Sequence, residues 1–178
     1  MLESNQRLVL MSCCAPCSAG AIKQLADDGA DFIVLFYNPN ISPESEYQKR
    51  LIEQIKLCES LDVKYVIGEY DHDKWLSCVC GLEDEPERGR RCAECFKMRI
   101  AWGVDRAREH GYNTLATVFG ISKWKDQKQI DEAGAQICAN AIQYIPVNWD
   151  ESMRIDENKK YDFYRQKYCG CEFSMPKK

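Results

Sequence analysis

Met11-Ser12-Cys13-Cys14-Ala15-Pro16-Cys17 places three thiols within five residues, after an apolar run and directly before a helix-like segment. Thiols that close together suit a soft metal better than a core. Two later groups look like partners: Cys92-Ala93-Glu94-Cys95 and Cys169-Gly170-Cys171. Cys92 and Cys95 lie one helical turn apart, so their thiols can point to one side. With Cys13 and Cys14 they make a four-thiolate set, which suits Zn²⁺ or an iron–sulfur cluster. Adjacent cysteines are unusual for zinc ribbons, and that favours a cluster over a structural zinc knot. The spacer in Cys169-Gly170-Cys171 is too short for ordinary cross-linking, and a bond within it would be strained and readily reduced. The alternative is a second metal held by both thiols, with Cys17 or a carboxylate.

Other groups weigh less. Asp71 follows a strand and reads as a metal ligand or acid, or simply as a helix cap. Glu85 and Glu87 read as solvating groups, with a proton donor the alternative. His72 and His110 are isolated, and His110 before Gly111 suits a helix C-terminus. Cys58 and Cys138 fall on apolar helix faces as buried small hydrophobes; Cys78 and Cys80 read as helix core or surface. Arg88, Arg90, Arg91, Lys97 and Arg99 surround the second cysteine pair, and Tyr161, Tyr164, Arg165, Lys167 and Tyr168 surround the third. Such mixtures suit an RNA loop with splayed bases, or else a solvated face.

The elements must bring these groups together. At 178 residues the chain fits one domain, 1–178, with enough core to stand without disulfides. No apolar run reaches the ~20 residues of a bilayer span, and Met1 to Arg7 lacks an export signal, so a cytoplasmic protein is expected. In that compartment 11 cysteines point to metal or redox chemistry rather than a disulfide framework. The net charge of −4 neither requires nor excludes a nucleic-acid partner.

Apolar runs at Leu8–Met11, Asp31–Tyr37, Lys64–Ile67, Leu115–Phe119 and Tyr144–Val147 predict strands. Helical spacing predicts helices over Ala19–Asp28 with Ser18 as cap, from Ser42 as N-cap with Pro43 at the first helical position, around Lys74–Cys80, and over Cys92–His110, Lys125–Ala141 and Asn158–Tyr168. The second of these helices is expected to bury Leu51, Ile52, Ile55, Cys58 and Leu61; the last is expected to deliver the tail cysteines back to the site. Alternating strands and helices imply an α/β fold with a parallel sheet and helices on both faces. The cysteine loop, the Asn38–Asn40 turn, Asp71 and the Gly120–Ser122 turn all follow strands and should meet at their C-terminal ends. The pattern resembles the three-layer adenine-nucleotide hydrolase-like (HUP) fold.

Several stretches together resemble the cobalamin-independent epoxyqueuosine reductases, the QueH family. They are Cys13-Cys14-Ala15-Pro16-Cys17, Tyr37-Asn38-Pro39-Asn40-Ile41, Pro43 with Glu46-Tyr47, and Tyr70-Asp71. The match continues through Gly81 to Gly89, Arg91 to Arg99, and Tyr164 to Cys171. Thr117 to Lys123 departs from the Ser-Pro turn more usual in the family. The resemblance implies a two-electron reduction of the epoxide of epoxyqueuosine, in the anticodon loop of tRNA, to the alkene of queuosine. It implies a 4Fe–4S cluster on Cys13, Cys14, Cys92 and Cys95, and a redox-active pair at Cys169 and Cys171. An external one-electron donor must supply the electrons, and a second mononuclear iron on Cys17, Asp71, Cys169 and Cys171 is the accompanying expectation. A zinc-stabilised RNA-binding module and an ATP-dependent tRNA thiolase are the other classes. The thiolase would carry a Gly- and Ser-rich phosphate loop where this chain has Cys-Cys-Ala-Pro-Cys.

Overall fold

The computed structural model describes residues 5–175; Met1 to Ser4, read above for an export signal, lie outside the described residues. Five strands form one sheet: β1 (Leu8–Ser12), β2 (Phe32–Phe36), β3 (Tyr65–Ile67), β4 (Thr114–Thr117) and β5 (Gln143–Tyr144). Their order is β3-β2-β1-β4-β5 and every neighbouring pair is parallel. Six helices connect and follow them: α1 (Ala15–Asp27), α2 (Glu44–Ser60), α3 (His72–Cys78), α4 (Arg90–Glu109), α5 (Gln127–Cys138) and α6 (Glu151–Lys160).

The apolar runs dictate the layering. All residues of β1, β2 and β4 are buried, which requires cover on both faces of the sheet. Leu8 pairs with Phe32 on one side and Thr114 on the other, so β1 is the central strand. Right-handed crossovers put α1 and α2 on one face, and α4 and α5 on the other. In agreement, α1 packs on α2 and α6, and α4 packs on α5 and α3. The result is the expected three-layer α/β fold. Strand order reverses between β1 and β4, so the loops leaving these two strands diverge and open a crevice. No described helix is long and apolar enough to cross a membrane.

Several boundaries differ from the sequence expectation. Helix α1 begins at Ala15 with an extended Cys14 as N-cap, so Cys17 lies on the helix and not in a loop. Ser18 is no cap; its hydroxyl turns inward to the Cys14 carbonyl (3.1 Å) and to Gln54 Oε1 (2.9 Å). Pro43, not Ser42, takes the N-cap of α2, and the Ser42 N–H donates to the Gly170 carbonyl (2.9 Å).

Helix α2 also buries a different face. Ile52 is 49% exposed, and the buried positions are Glu46, Tyr47, Arg50, Gln54, Leu57 and Cys58. Apolar periodicity misses this stripe because half of it is polar. The last helix is α6, ending at Lys160, whereas Asn158–Tyr168 was expected to be helical. Beyond it the chain is irregular up to a short 3-10 turn at Glu172–Ser174. β5 is a two-residue edge strand ending where a strand to Val147 was expected, and the turn after β4 is a 3-10 turn at Phe119–Ile121.

Candidate metal and thiol centre

The first cysteine group sits where β1 hands over to α1, at the switch point. Sγ atoms of Cys13, Cys14 and Cys17 all lie within 4.8 Å of one another. Cys13 and Cys14 are buried and Cys17 is partly so. The helix start explains the geometry: the Cys13 and Cys14 sulfurs lie 3.9 Å apart just before α1, and its first turn brings Cys17 back beside them. Gln54 of α2 fixes the end of β1, accepting from Ser12 Oγ (2.6 Å) and Ser18 Oγ while donating to Cys58 Sγ (3.4 Å).

Protons are shared unequally in this triad. Donation from the Cys14 and Cys17 thiols holds Cys13 well below the usual thiol range against the opposing effect of burial, with Lys125 and Arg99 adding in the same direction. Cys14, donating to Cys13, is pushed up to about 12. Cys17 is raised for the same reason, by Cys13 first and then Cys14. Of the three, Cys13 is the thiol most easily ionised.

Lys125 links this triad to the other cysteines. Its Nζ lies 3.9 Å from Cys13 Sγ. Burial alone would depress the ammonium's pKa, but the facing thiols of Cys13, Cys169 and Cys17 outweigh it and raise that pKa. The same lysine lines a chamber of about 20 Å³ whose walls include Cys92, Cys95, Cys169, Cys171 and Arg99. That volume holds about one water-sized sphere, too little for a substrate. Cys92 is pushed up to about 11 by burial, partly offset by the Arg88 N–H that donates to its sulfur (3.3 Å). Burial also raises Cys95 and Cys171. Asn40 Oδ1, in the same wall, finds no hydrogen-bond partner among the described residues. All the cysteines described are free thiols. Buried sulfurs, a facing cation and an orphaned oxygen form a donor set that fits a thiophilic metal or cluster.

Sequence reasoning missed what holds the tail. Arg50, buried in α2, pairs with Glu46 (2.7 Å) and donates to the carbonyls of Cys169 (2.9 Å) and Tyr168 (3.3 Å). Tyr164 Oη donates to Glu46 Oε2 (2.9 Å), and Tyr168 Oη donates to the Ser42 carbonyl. Gly170 has φ +128°, a region that favours glycine, and a Cβ there would come 3.0 Å from Arg50 Nη1. Only a glycine allows Cys169 and Cys171 to turn this close to α2. The signal was available: Glu46 and Arg50 stand i,i+4, with Gln54 one further turn along the same face.

The remaining candidates fall into place. Asp71 is the N-cap of α3, its Oδ1 accepting from the Lys74 N–H (2.9 Å). Two of the five basic residues around the second pair are not available to RNA. Arg91 is 2% exposed and spans the Leu82 and Glu83 carbonyls. Arg99 is 1% exposed, donates to the Tyr37 carbonyl (3.1 Å), and stacks on Phe119. Both are structural ties because the turns they hold expose carbonyls that no strand satisfies. Glu85 is more than a solvating group, since its Oε2 accepts from the Arg90 N–H (3.0 Å) at the start of α4. His72 is not isolated: Nδ1 meets the Pro39 carbonyl (2.7 Å) and Nε2 meets Glu172 Oε1 (3.3 Å). Cys58 and Cys138 are buried as expected, and Cys78 and Cys80 are exposed.

Fold and site define a class: a three-layer α/β protein whose switch-point crevice is lined by thiols. Solved structures share the fold. NMN synthetase from Francisella tularensis aligns with a TM-score of 0.54 at 13% identity, covering 93% of this chain and 68% of that one. The U34-tRNA thiolase NcsA from Methanococcus maripaludis, solved with its [4Fe-4S] cluster, aligns at 0.55 and 14%, covering 90% and 59%. At these identities they speak for the fold alone. Sequence relatives are more specific. The epoxyqueuosine reductase QueH of Acinetobacter baylyi is 36% identical, over 97% of this chain and 82% of its own. That of Histophilus somni is 39% identical over 97% and 74%, and that of Thermotoga maritima 33% over 92% and 87%. The model of the family described as "Epoxyqueuosine reductase QueH" matches residues 8–177. The chain belongs to the QueH family.

Proposed function

We propose that this chain reduces the epoxide of epoxyqueuosine in tRNA to the alkene of queuosine, the last step of that modification. The supporting observation is the gathering of seven cysteines, Cys13, Cys14, Cys17, Cys92, Cys95, Cys169 and Cys171, around Lys125 at the strand ends. Both carbon–oxygen bonds of the epoxide break, a carbon–carbon π bond forms, and the oxygen leaves as water. The balance requires two electrons and two protons, the electrons from an external one-electron donor.

Cys13, Cys14, Cys92 and Cys95 are the proposed ligands of a 4Fe–4S cluster. Such a cluster would pass single electrons, and a second iron with an open position would polarise the epoxide oxygen. Cys17, which packs against Cys13 and Cys14, belongs either to the cluster's surroundings or to that second metal. Cys169 and Cys171 serve as its ligands or as a dithiol that holds the second reducing equivalent. Asp71 is offered as a ligand or acid through Oδ2, since Oδ1 caps α3. Lys125 holds a positive charge between the thiol groups, which favours their deprotonated, metal-binding state. Arg50 and Gly170 hold the tail pair at the chamber.

Anaerobic reconstitution with iron and sulfide, followed by an assay on tRNA carrying the epoxide nucleoside, tests this function. Conversion to the alkene nucleoside is expected. A colourless protein containing zinc alone would favour the RNA-binding module, and tight ATP binding would favour the thiolase. Cys169→Ser or Cys171→Ser should abolish turnover and leave the visible cluster spectrum intact. Loss of that spectrum would make the pair ligands, not a relay.

A further inference from the structure

Beside the triad lies a cleft of about 850 Å³, between the start of α1, the Ile121–Trp124 turn, α6 and residues 161–166. Its volume is that of a small-ligand site, and Cys14 and Cys17 form its inner wall. The thiol chamber, by contrast, is too small to admit a nucleoside. Trp124, Tyr161 and Phe163 give the cleft an aromatic lining, and Ile155, exposed at 44%, adds apolar surface.

Charge in the cleft runs against that of the chain. Five cations face two carboxylates there, an excess of three positive charges on a protein of net charge −4. Some are already paired, as Arg154 is with Glu151 (2.8 Å). Among the described residues, Lys123 and Arg165 have no carboxylate partner. Lys123 Nζ lies over the Trp124 ring, 5.3 Å from its centre, so the cleft presents a cation and an aromatic ring together.

We infer that this cleft takes one nucleotide extruded from a single-stranded RNA loop, with its base on Trp124 and the flanking phosphates on Lys123 and Arg165. The inference rests on the tRNA reading above and assigns the substrate's place within it. Stacking platforms next to backbone cations are the chemistry of unpaired nucleotides. A nucleotide seated there reaches the Cys14 and Cys17 edge with its base substituent. A docked electron-donor protein would need a broad surface, on the order of 800 Å² per partner, rather than an aromatic hollow.

The test titrates a fluorescent anticodon stem-loop RNA into the iron-loaded protein without oxygen, across a salt series. Lys123→Glu and Arg165→Glu should each flatten the slope of log affinity against log salt by about 0.7. Trp124→Ala should weaken binding by about 5- to 150-fold with the slope unchanged. Arg108→Glu, near the C-terminus of α4 at the opposite end of the sheet, should change neither. Equal melting temperatures for all four variants confirm folding. If wild-type protein binds RNA and the three cleft variants bind it equally well, the cleft assignment is wrong and the tRNA reading stands. A rise in KM for the electron donor with RNA affinity unchanged would overturn the assignment in favour of a partner protein. If wild-type protein neither binds the RNA nor reduces the epoxide, the underlying function fails with it.

Discussion

Lys125 Nζ stands 3.9 Å from Cys13 Sγ, although 112 residues separate the two in the chain. The turn after β4 and the turn after β1 meet at the switch point, so a cation from one faces the Cys13 sulfur of the other. At an effective dielectric near 20, a unit charge several ångströms away is worth a few kcal/mol. Lys125→Met should therefore lower the reduction potential of the reconstituted centre by about 100 mV, with Lys125→Arg close to wild type. Potentiometric titration checks this, and an unchanged potential in the Met variant would remove Lys125 from the electrostatics of the site.

Metal-free protein should show one triad thiolate where three free cysteines would show almost none near neutral pH. Cys13 is ionised above its lowered pKa, whereas Cys14 stays protonated up to about 12 and Cys17 is raised as well. Loading a cluster on Cys13, Cys14, Cys92 and Cys95 must release the protons held by the last three, whose pKa values are raised, so loading tightens as pH rises. Ultraviolet thiolate absorbance of Cys13→Ser against wild type counts the thiolate. Proton release measured by calorimetry in two buffers counts the other three.

Arg50→Ala should free the tail. It removes the bonds to the Tyr168 and Cys169 carbonyls and strands Glu46 as a buried charge. Breaking such a pair costs about 3–5 kcal/mol, readable as a shift in the urea midpoint. The double change Glu46→Leu with Arg50→Met removes both charges and should recover most of that stability. Rapid alkylation of Cys169 should persist in the double variant, which separates the clamp from general stability.

Gly20→Ala should destabilise the protein despite the better helix propensity of alanine, worth about 1 kcal/mol. A Cβ at position 20 would lie 2.5 Å from the Arg154 backbone N and 2.7 Å from its Cα. Backbone cannot swing aside as a side chain can, so α6 must move off α1. Overpacking of this kind costs about 1–3 kcal/mol, and thermal denaturation should show the net loss. Because α6 forms one wall of the cleft, RNA binding should fall with it.

Residue types and spacing were enough for the strand–helix alternation, the parallel sheet, the three cysteine groups and their arrival at one end of it. Fully apolar strands such as Leu8–Met11 and Phe32–Phe36 allow no other placement than a covered sheet, and local periodicity records that directly. What the sequence alone left open depends on contacts between distant segments. The polar stripe of Glu46, Arg50 and Gln54 gives no apolar periodicity, and its burial follows only from the tail carbonyls and Ser12 that need its hydrogen bonds. Arg91 and Arg99 read as part of an RNA contact or of a solvated face until they are found tying loop carbonyls beneath the surface. The grouping of Cys17 with Cys13 and Cys14, and of Cys92 and Cys95 with the tail pair, is likewise tertiary. It follows from where α1 begins and where Gly170 turns. Thiol chemistry was written in local spacing, but which thiol faces which was decided only when β1 and β4 became neighbours.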